Sequence, residues 1–395
     1  MEQSGWRRAD GLTHAMDFSF SEEQELLRNS LRSFLNDRYT FEQRRAASRS
    51  ASGWRPELWS ALAEDIDILG LSLPERTGGL GGDPVTTMVV MEELGRALVI
   101  EPYLESNIIC GGLLSRAGGE HADTVLRAMG RGKQIVAFAW AEPGARYELS
   151  TVATRATREG GGWRLNGAKA VVTAAPWASK LLVTARTGGA VTDRGGLSLF
   201  LIDKDTAGVG TSDYPTVDGR RASDVVFENV HVSAQALIGS EGAAIDTLEL
   251  ATDEAIAASS AEALGVLSRL HSDTVEYARQ RRQFGQPISS FQVLQHRMVD
   301  MYMEVEMARS ATYLVTLNLQ AARRERQLAA SAAKVTVSKA CRFVGQNAVQ
   351  LHGGMGMTDE LAVGHYFKRA TVIEAEFGTV DFHLARHAAL SRSAA

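Results

Sequence analysis

Apolar residues recur at helical spacing through the first third of the chain, and two amphipathic helices stand out. One begins at a capping box that opens with Ser21, and the other begins at Asp83 and Pro84, a cap followed by a first-turn proline. The apolar positions that fall on one face of each helix are Leu27, Leu31, Phe34, Leu35, Met88, Val89, Met91 and Leu94. We therefore predict that the chain is helical up to about residue 133.

The pattern changes at Ile135, where short β-rich runs replace the helical spacing. These runs are separated by Gly, Asp and Pro, and they lie at 135–140, 150–157, 163–173, 180–186, 197–203 and 224–232. Three consecutive glycines at 160–162 predict a hairpin turn between two of the runs, because glycine readily adopts positive φ. The segment is predicted to form a compact antiparallel β-domain.

Long periodic stretches rich in Ala, Leu, Glu and Arg follow, and they predict a helical bundle. They lie at 243–281, 291–324, 329–351, 359–372 and 379–392. The predicted fold class is therefore α+β, with three domains after an N-terminal extension. The predicted bounds are 1–15 for the extension, 16–133 for an N-terminal α-helical domain, 134–238 for a middle antiparallel β-barrel or sandwich, and 239–395 for a C-terminal four-helix bundle.

Composition narrows the class of protein. The 395 residues carry a net charge of −5, which gives no overall electrostatic reason to expect nucleic acid or an anionic membrane as partner. Cys110 and Cys341 lie far apart, so there is neither a disulfide framework nor a CxxC metal motif. No apolar run approaches the roughly 20 residues of a spanning helix, and the N-terminus lacks the apolar segment of a signal peptide. We expect a cytoplasmic protein without a metal.

A basic cluster near residue 280 is the densest concentration of candidate chemistry. Arg279, Arg281 and Arg282 lie at the predicted end of a helix, before a turn that contains Gly285 and Pro287. Paired guanidinium groups could bind a phosphate there. The alternative interpretation is a solvated basic helix end, and local chemistry alone favours it.

A second cluster is the glycine-rich segment Gln350–Thr358. It follows a run with helical periodicity and is therefore no dinucleotide-binding fingerprint, which requires glycines directly after a strand. Its glycines allow backbone N–H groups to approach an anion, but a turn between helices needs them equally. His352 is ambiguous in the same way, because a histidine at a helix end more often makes structural hydrogen bonds than it catalyses.

Together the clusters resemble the acyl-CoA dehydrogenase family over nearly the whole chain. The matching phrases are Ala-Glu-Pro-Gly at 141–144, Leu-Asn-Gly-Ala-Lys at 165–169, Arg-Arg-Gln-Phe-Gly at 281–285 and Gln-Leu-His-Gly-Gly at 350–354. The phrases at 253–256 and 361–369 look most like the small subunits of pimeloyl-CoA dehydrogenases and their actinobacterial steroid-degrading relatives.

The resemblance implies an FAD-dependent oxidation of an acyl-CoA thioester to the trans-2-enoyl-CoA, in lipid or steroid catabolism. It places FAD between the β-domain and the C-terminal bundle, with the pyrophosphate and adenosine end reached from a neighbouring subunit. By the same resemblance, the FAD-binding residues are Thr173, Arg281, Phe284, Gln292, Gln350, Leu351, His352, Gly353, Gly354, Gly378 and Thr379.

The catalytic base of the family is missing from both of its usual positions. The residue before the Gly-Thr pair is Phe377, with Glu376 one place earlier, and the alternative position is Ala255. Glu254 is the first candidate base, although it is offset by about 100° around a helix; Asp253 and Glu376 are the others. The flavin-ring side departs as well, because Arg146-Tyr147-Glu148 replaces the family's Gly-Ser-Asp and Val171 replaces a tryptophan.

These departures leave several assignments open. The chain is expected to pair with a homologous subunit in an α2β2 assembly, with the partner supplying most of the ring site and the base, or to form a homotetramer. Electron-transferring flavoprotein is the expected electron acceptor. The alternatives are a non-catalytic subunit that completes the partner's FAD site, and a flavoprotein oxidase or monooxygenase on the same fold.

Overall fold

The computed structural model of the protein describes residues 20–392, and its first part is helical. The helices are α1 Glu22–Arg38, α2 Phe41–Arg49, α3 Pro56–Glu64, α4 Pro84–Arg96, α5 Gly111–Ala117 and α6 Glu120–Gly130. Ser21 and Gln24 form the predicted capping box of α1, and the side chain of Asp83 caps α4. Both predicted helix starts are confirmed. The predicted extension, residues 1–15, lies outside the described part of the chain.

A π-helical segment, Tyr103–Cys110, leads into α5 and is buried along its whole length. Polar contacts tie the segment to its surroundings at its start and its middle: the Tyr103 hydroxyl donates to the Ile68 carbonyl (3.2 Å), and Ser106 Oγ accepts from the Val136 amide (3.2 Å). Such wide turns are rare and are frequently found at functional sites. The sequence pattern did not predict this one.

The middle of the chain forms one eight-stranded sheet. Its strands are β1 Val136–Ala139, β2 Arg155–Glu159, β3 Gly162–Thr173, β4 Lys180–Arg186, β5 Leu197–Asp203, β6 Val209–Pro215, β7 Arg221–Ser233 and β8 Leu237–Ile238. The order is β6-β7-β3-β2-β4-β5-β8, with β1 also beside β4. The pairing is antiparallel, as predicted, except where β1 and β2 meet β4 in parallel. The predicted run 150–157 becomes a strand only from Arg155, and β6 and β8 were not predicted.

Two local features of the sheet direct the strand that reaches the candidate site. Gly160 and Gly161 form the predicted hairpin turn between β2 and β3, both with positive φ (57° and 80°). Later in β3 the register with β7 shifts between Lys169 and Val172. A bulge of this kind bends a strand and re-aims its side chains, and it sits just before Thr173.

The last part of the chain is helical, as predicted. Its helices are α7 Ile245–Gln280, α8 Gln292–Leu317, α9 Arg323–His352, α10 Ala362–Ala375 and α11 Val380–Arg392. Between α7 and α8 a small hairpin pairs β9 Arg282–Gln283 with β10 Gln286–Pro287. Within residues 20–392, none of the helices combines the length and apolar character needed to cross a membrane.

Candidate functional site

A cavity of about 760 Å³ opens where the three parts of the chain meet, and we call it the central cavity. The β-domain contributes the end of β3 and the loop after β1, which carries the Ala-Glu-Pro-Gly phrase. The C-terminal helices contribute the end of α10 with Glu376 and Phe377, and the π-helical segment contributes Leu104, Glu105 and Ile109. Its walls are largely apolar, with a few polar groups that converge on one side.

Backbone strain is concentrated around this cavity. Arg146, Val171 and Phe377 all line it, and all have positive φ, at 51°, 51° and 56°. A bulky residue in this region costs about 1–3 kcal/mol, so the surrounding structure must hold it in place. These three residues are among the positions where the sequence departs from the phrases of the family that it resembles. The departures are therefore concentrated on the walls of one cavity.

An ion network lies beside the central cavity and consists of two arginines and four carboxylates. Arg369 donates to Glu262 (2.7 and 2.8 Å), to Asp218 (3.0 Å) and to Glu376 (2.8 and 3.2 Å). Arg220 donates to Glu262 (2.8 Å) and to Glu105 (3.3 Å). Removing one member of such a buried network would leave its partners charged and unpaired.

The electrostatics of the network keep most of its members ionised. Burial alone would raise the pKa values of Asp218 and Glu262, but the two arginines lower both pKa values below their usual range. Burial opposes the charge on Arg369, yet Glu262 and Glu376 hold its pKa well above the ordinary value. The network is thus a fixed array of charges next to an apolar cavity.

Of the candidate bases, Glu376 alone reaches the central cavity. Both of its carboxylate oxygens accept hydrogen bonds from Arg369. Asp253 is fully buried on α7, where Arg326 (2.9 Å) and Arg386 (2.8 Å) bind it.

Glu254, the first candidate in the sequence, lies elsewhere. It accepts two hydrogen bonds from Arg116 (2.9 and 2.8 Å) and lines a second cavity of about 370 Å³, between the N-terminal helices and α8. Glu254 is not among the residues that line the central cavity with Thr173. The role of Glu254 as the base stays a prediction from the sequence.

Thr173, the last residue of β3, lines the central cavity, whereas most of the other predicted cofactor residues form an exposed arm. The arm combines the β9–β10 hairpin and its flanks with the end of α9; its predicted cofactor residues are Arg281, Phe284, Gln292 and the segment 350–354. Phe284 has φ of 51° and is 92% exposed, and Gln350, Gly353 and Gly354 are exposed as well. The arm therefore presents guanidinium, amide and backbone donors to the outside of the chain.

His352 and Leu351 are the buried part of the arm. His352 Nδ1 lies 2.8 Å from the Ala348 carbonyl, and its ring stacks on Tyr277 with 4.2 Å between ring centroids. Burial lowers the pKa of His352. These contacts join the end of α9 to α7, which is the structural role that the sequence favoured. Gly378 is buried and Thr379 is exposed just beyond α10.

Comparison with known proteins decides the family. Three family models match in succession: the N-terminal domain of acyl-CoA dehydrogenases at residues 21–133, the middle domain at 137–230 and the C-terminal domain at 245–390. The chain belongs to the acyl-CoA dehydrogenase family. It is thus a member of an oxidoreductase family, as the sequence phrases indicated.

Relatives in this acyl-CoA dehydrogenase family span the chain from end to end. Mitochondrial isovaleryl-CoA dehydrogenase of Oryza sativa subsp. japonica is 28% identical over 95% of this chain and 94% of its own length. The ChsE4-ChsE5 complex of Mycobacterium tuberculosis has a chain with 26% identity and a TM-score of 0.86, covering 95% of this chain and 99% of that one. A structure described as the FAD complex of PigA also has 26% identity and a TM-score of 0.86, covering 96% of this chain and 100% of that one.

Sequence reasoning missed the ion network and the π-helical segment of this acyl-CoA dehydrogenase. Arg220 and Arg369 lie about 150 residues apart in the chain, and no local pattern links them. One signal was present: Glu105 is a lone charge in the otherwise uncharged run Tyr103–Cys110, and buried charges are rare without a partner. A single charged residue inside an apolar run therefore indicates a buried ion pair with a distant part of the chain.

Proposed function

We propose that this chain is a subunit of an FAD-dependent enzyme that oxidises an acyl-CoA thioester to the trans-2-enoyl-CoA. The observation that carries the proposal is the central cavity. Its volume of about 760 Å³ lies within the range of ligand pockets, about 300–1,000 Å³, and it is bounded by the end of β3, the Ala-Glu-Pro-Gly loop and the end of α10. The cavity is therefore large enough for a ring system together with part of an acyl chain.

The residues present fit FAD. The apolar walls and the aromatic side chains of Trp140 and Phe377 suit a flat ring, and Thr173 offers a hydroxyl at the cavity edge. When bound, FAD supplies the acceptor for the hydride that leaves the β-carbon of the thioester. Thr173 would hold the ring, and the arm of a neighbouring chain would hold the pyrophosphate through Arg281, Gln292 and the backbone of 353–354.

Exposure of the arm supports assembly with a second chain. Phe284 is 92% exposed, and one side of α8 carries four apolar residues that are each about half exposed: Val299, Met303, Met307 and Leu314. A row of this kind on a long helix is typical of a subunit interface. We propose an α2β2 assembly with a homologous subunit, with the homotetramer as the alternative. ChsE4-ChsE5, a relative in this family, is itself described as a complex.

The chain's own residues would position the thioester and exclude water. Phe377 and the apolar walls would keep the reacting carbons dry, which strengthens every charge interaction nearby. Electron-transferring flavoprotein is the proposed acceptor of the electrons. By resemblance, the proposed substrates are thioesters of dicarboxylic acids or of steroid side chains.

The proposal is tested with the chain purified alone and with a co-expressed homologous subunit. We expect the complex to contain FAD, and we expect octanoyl-CoA, pimeloyl-CoA or a steroid-side-chain CoA thioester to bleach it anaerobically, with the 2-enoyl-CoA as product. A complex that holds FAD but is not reduced by any of these thioesters would contradict the proposed reaction.

Two further readouts separate the alternative functions. Rapid peroxide formation in air, with no transfer to electron-transferring flavoprotein, would indicate an oxidase. If the complex turns over normally after the central cavity of this chain is blocked by Thr173→Trp, the chain serves the partner's site and is not itself catalytic.

A further inference from the structure

Glu105 is a buried residue that lines the central cavity, and one of its carboxylate oxygens has no partner. The residue lies on the π-helical segment, is 6% exposed and lines the cavity. One of its oxygens, Oε1, accepts a hydrogen bond from Arg220 at 3.3 Å. The other, Oε2, is buried and has no hydrogen-bond partner. Buried polar atoms are almost always paired, so an unpaired carboxylate oxygen beside a cavity calls for a ligand or a proton.

The other carboxylates that line the cavity have no free oxygen. Glu142 accepts from Lys169 (2.7 Å) and from two backbone amides (2.6 and 3.0 Å). The two oxygens of Asp218 accept from Thr216 (2.5 Å) and from Arg369 (3.0 Å). Both oxygens of Glu376 are bound by Arg369. Among the described residues that line the central cavity, Glu105 is thus the carboxylate that can take up a proton without breaking a hydrogen bond.

We propose that Glu105 is the general base that removes the α-proton of the acyl-CoA thioester. This inference rests on the proposed function. The α-C–H bond breaks and its proton goes to Oε2 of Glu105. The electron pair of that bond becomes the new double bond between the α- and β-carbons, while hydride leaves the β-carbon with its own electron pair for oxidised flavin. Atoms and electrons then balance, and reoxidation of the flavin falls to the external acceptor.

The surroundings of Glu105 suit a base. Burial raises its pKa and the nearby charge of Glu376 raises it further, whereas Arg220 and Arg369 lower it; the net pKa lies above the ordinary value. A stronger carboxylate base is better matched to a weakly acidic α-carbon. One hydrogen bond from Arg220 (3.3 Å) ties Oε1 to the ion network and leaves Oε2 without a partner.

A base at Glu105 would also replace the carboxylates that this chain lacks at the family's two usual base positions. Phe377 occupies one usual position and Ala255 the other, and neither side chain can accept a proton. The π-helical segment packs between the β-domain and α7, so a carboxylate from this segment approaches the cavity from a different element. The extra residue in a π-helical turn re-aims side chains, and such turns are frequent at functional sites.

The test uses the FAD-loaded protein, with its partner subunit if one is required, and the thioester that reduces the wild type. Two quantities are followed: flavin reduction, and exchange of the α-protons of the thioester with D₂O in the absence of an electron acceptor. We expect Glu105→Gln to slow both by about a thousand-fold, because removing a general base costs about 10²–10⁴-fold. FAD content, thioester affinity and the unfolding midpoint should stay near the wild-type values.

Control variants separate the base from its neighbours. Glu64→Gln, at an exposed carboxylate of α3 that pairs with Lys133, should exchange and reduce at the wild-type rate. Glu105→Asp keeps the charge but withdraws it by one methylene, and it should retain FAD while exchange falls more than ten-fold. If Glu105→Gln does not fold, this variant carries the test.

Each result separates this inference from the proposed function. Near-wild-type exchange in Glu105→Gln would overturn the role of Glu105 while leaving the dehydrogenase function intact, and loss of exchange in Glu376→Gln alone would do the same. If none of the thioesters reduces the flavin of the wild-type complex, the proposed function is contradicted, and the role of Glu105 is contradicted with it.

Discussion

His383 links the stability of the protein to pH through one side chain. It is fully buried, its Nε2 lies 2.9 Å from the carbonyl oxygen of Phe377, and its Nδ1 lies 3.4 Å from Ser331 Oγ. Burial, with a smaller effect from Arg386, lowers the pKa of His383 to about 4. The folded protein therefore holds this ring neutral at a pH where the unfolded chain would already bind a proton.

This difference predicts a loss of stability in acid. Between pH 6.5 and about 4 the unfolded chain takes up a proton that the folded chain does not, so the free energy of unfolding falls as the pH falls. The contribution of His383 is about 3 kcal/mol. Urea denaturation at several pH values should show a shallower decline over this range in His383→Gln than in the wild type.

An exposed histidine provides the control. His121→Gln, on the surface of α6, should follow the wild-type curve. If His383→Gln and the wild type lose stability in parallel, the buried ring is not the source of the pH dependence.

Two glycines allow α4 and α7 to pack with their backbones in contact. A Cβ on Gly265 would lie 1.9 Å from the Glu92 carbonyl oxygen, and a Cβ on Gly95 would lie 2.1 Å from that of Glu262. Both obstacles are backbone atoms, so no side-chain rotation could relieve the overlap. The close approach also fixes the part of α7 that carries Glu262 into the ion network.

We therefore expect Gly265→Ala to destabilise the protein, although alanine favours a helix by about 1 kcal/mol over glycine. Overpacking costs about 1–3 kcal/mol or more, because the two helices must separate. Denaturant unfolding measures the change. Gly210→Ala on β6, where an added Cβ meets no atom within 4 Å, is the control and should change stability little. Equal stability of the two variants would argue against the helix contact.

Local sequence signals predicted many of the helices, strands and turns, but they could not predict contacts between residues far apart in the chain. The caps at Ser21 and Asp83 and the turn at Gly160 are set by neighbours within a few residues. The π-helical segment was not predicted, because its eight residues read as an ordinary apolar run with one glutamate. Thr173, which lines the central cavity, was predicted from its phrase, whereas Glu105 could not be, because its partner Arg220 lies 115 residues later in the chain.

At the scale of the whole molecule, the exposed arm supports the proposed assembly with a second chain. Its exposed residues make few contacts within the chain: the Phe284 ring meets Phe291 edge-on at 6.1 Å and is otherwise largely open to solvent. Large exposed aromatic side chains are typical of interaction sites.

Replacing Phe284 should therefore affect assembly and cofactor content, and leave folding unchanged. We expect Phe284→Ala to keep the wild-type unfolding midpoint of the isolated chain but to lower the FAD content of the assembled protein several-fold. Absorbance ratios and sedimentation measure the two effects. Leu26→Ala, at another exposed apolar residue (60% exposed), should change neither. Full FAD content in Phe284→Ala would show that the arm does not contact the cofactor.

The ion network has a consequence for how the protein unfolds. Glu105 comes from the N-terminal helices, Asp218 and Arg220 from the β-domain, and Glu262, Arg369 and Glu376 from the C-terminal helices. If any one of these three parts moved away, charged side chains in the other two would lose their partners and stay buried and unpaired. Partial opening is therefore costly, and we expect the three domains to unfold as a single cooperative unit. Amide hydrogens deep in all three would then exchange with solvent at one common, slow rate.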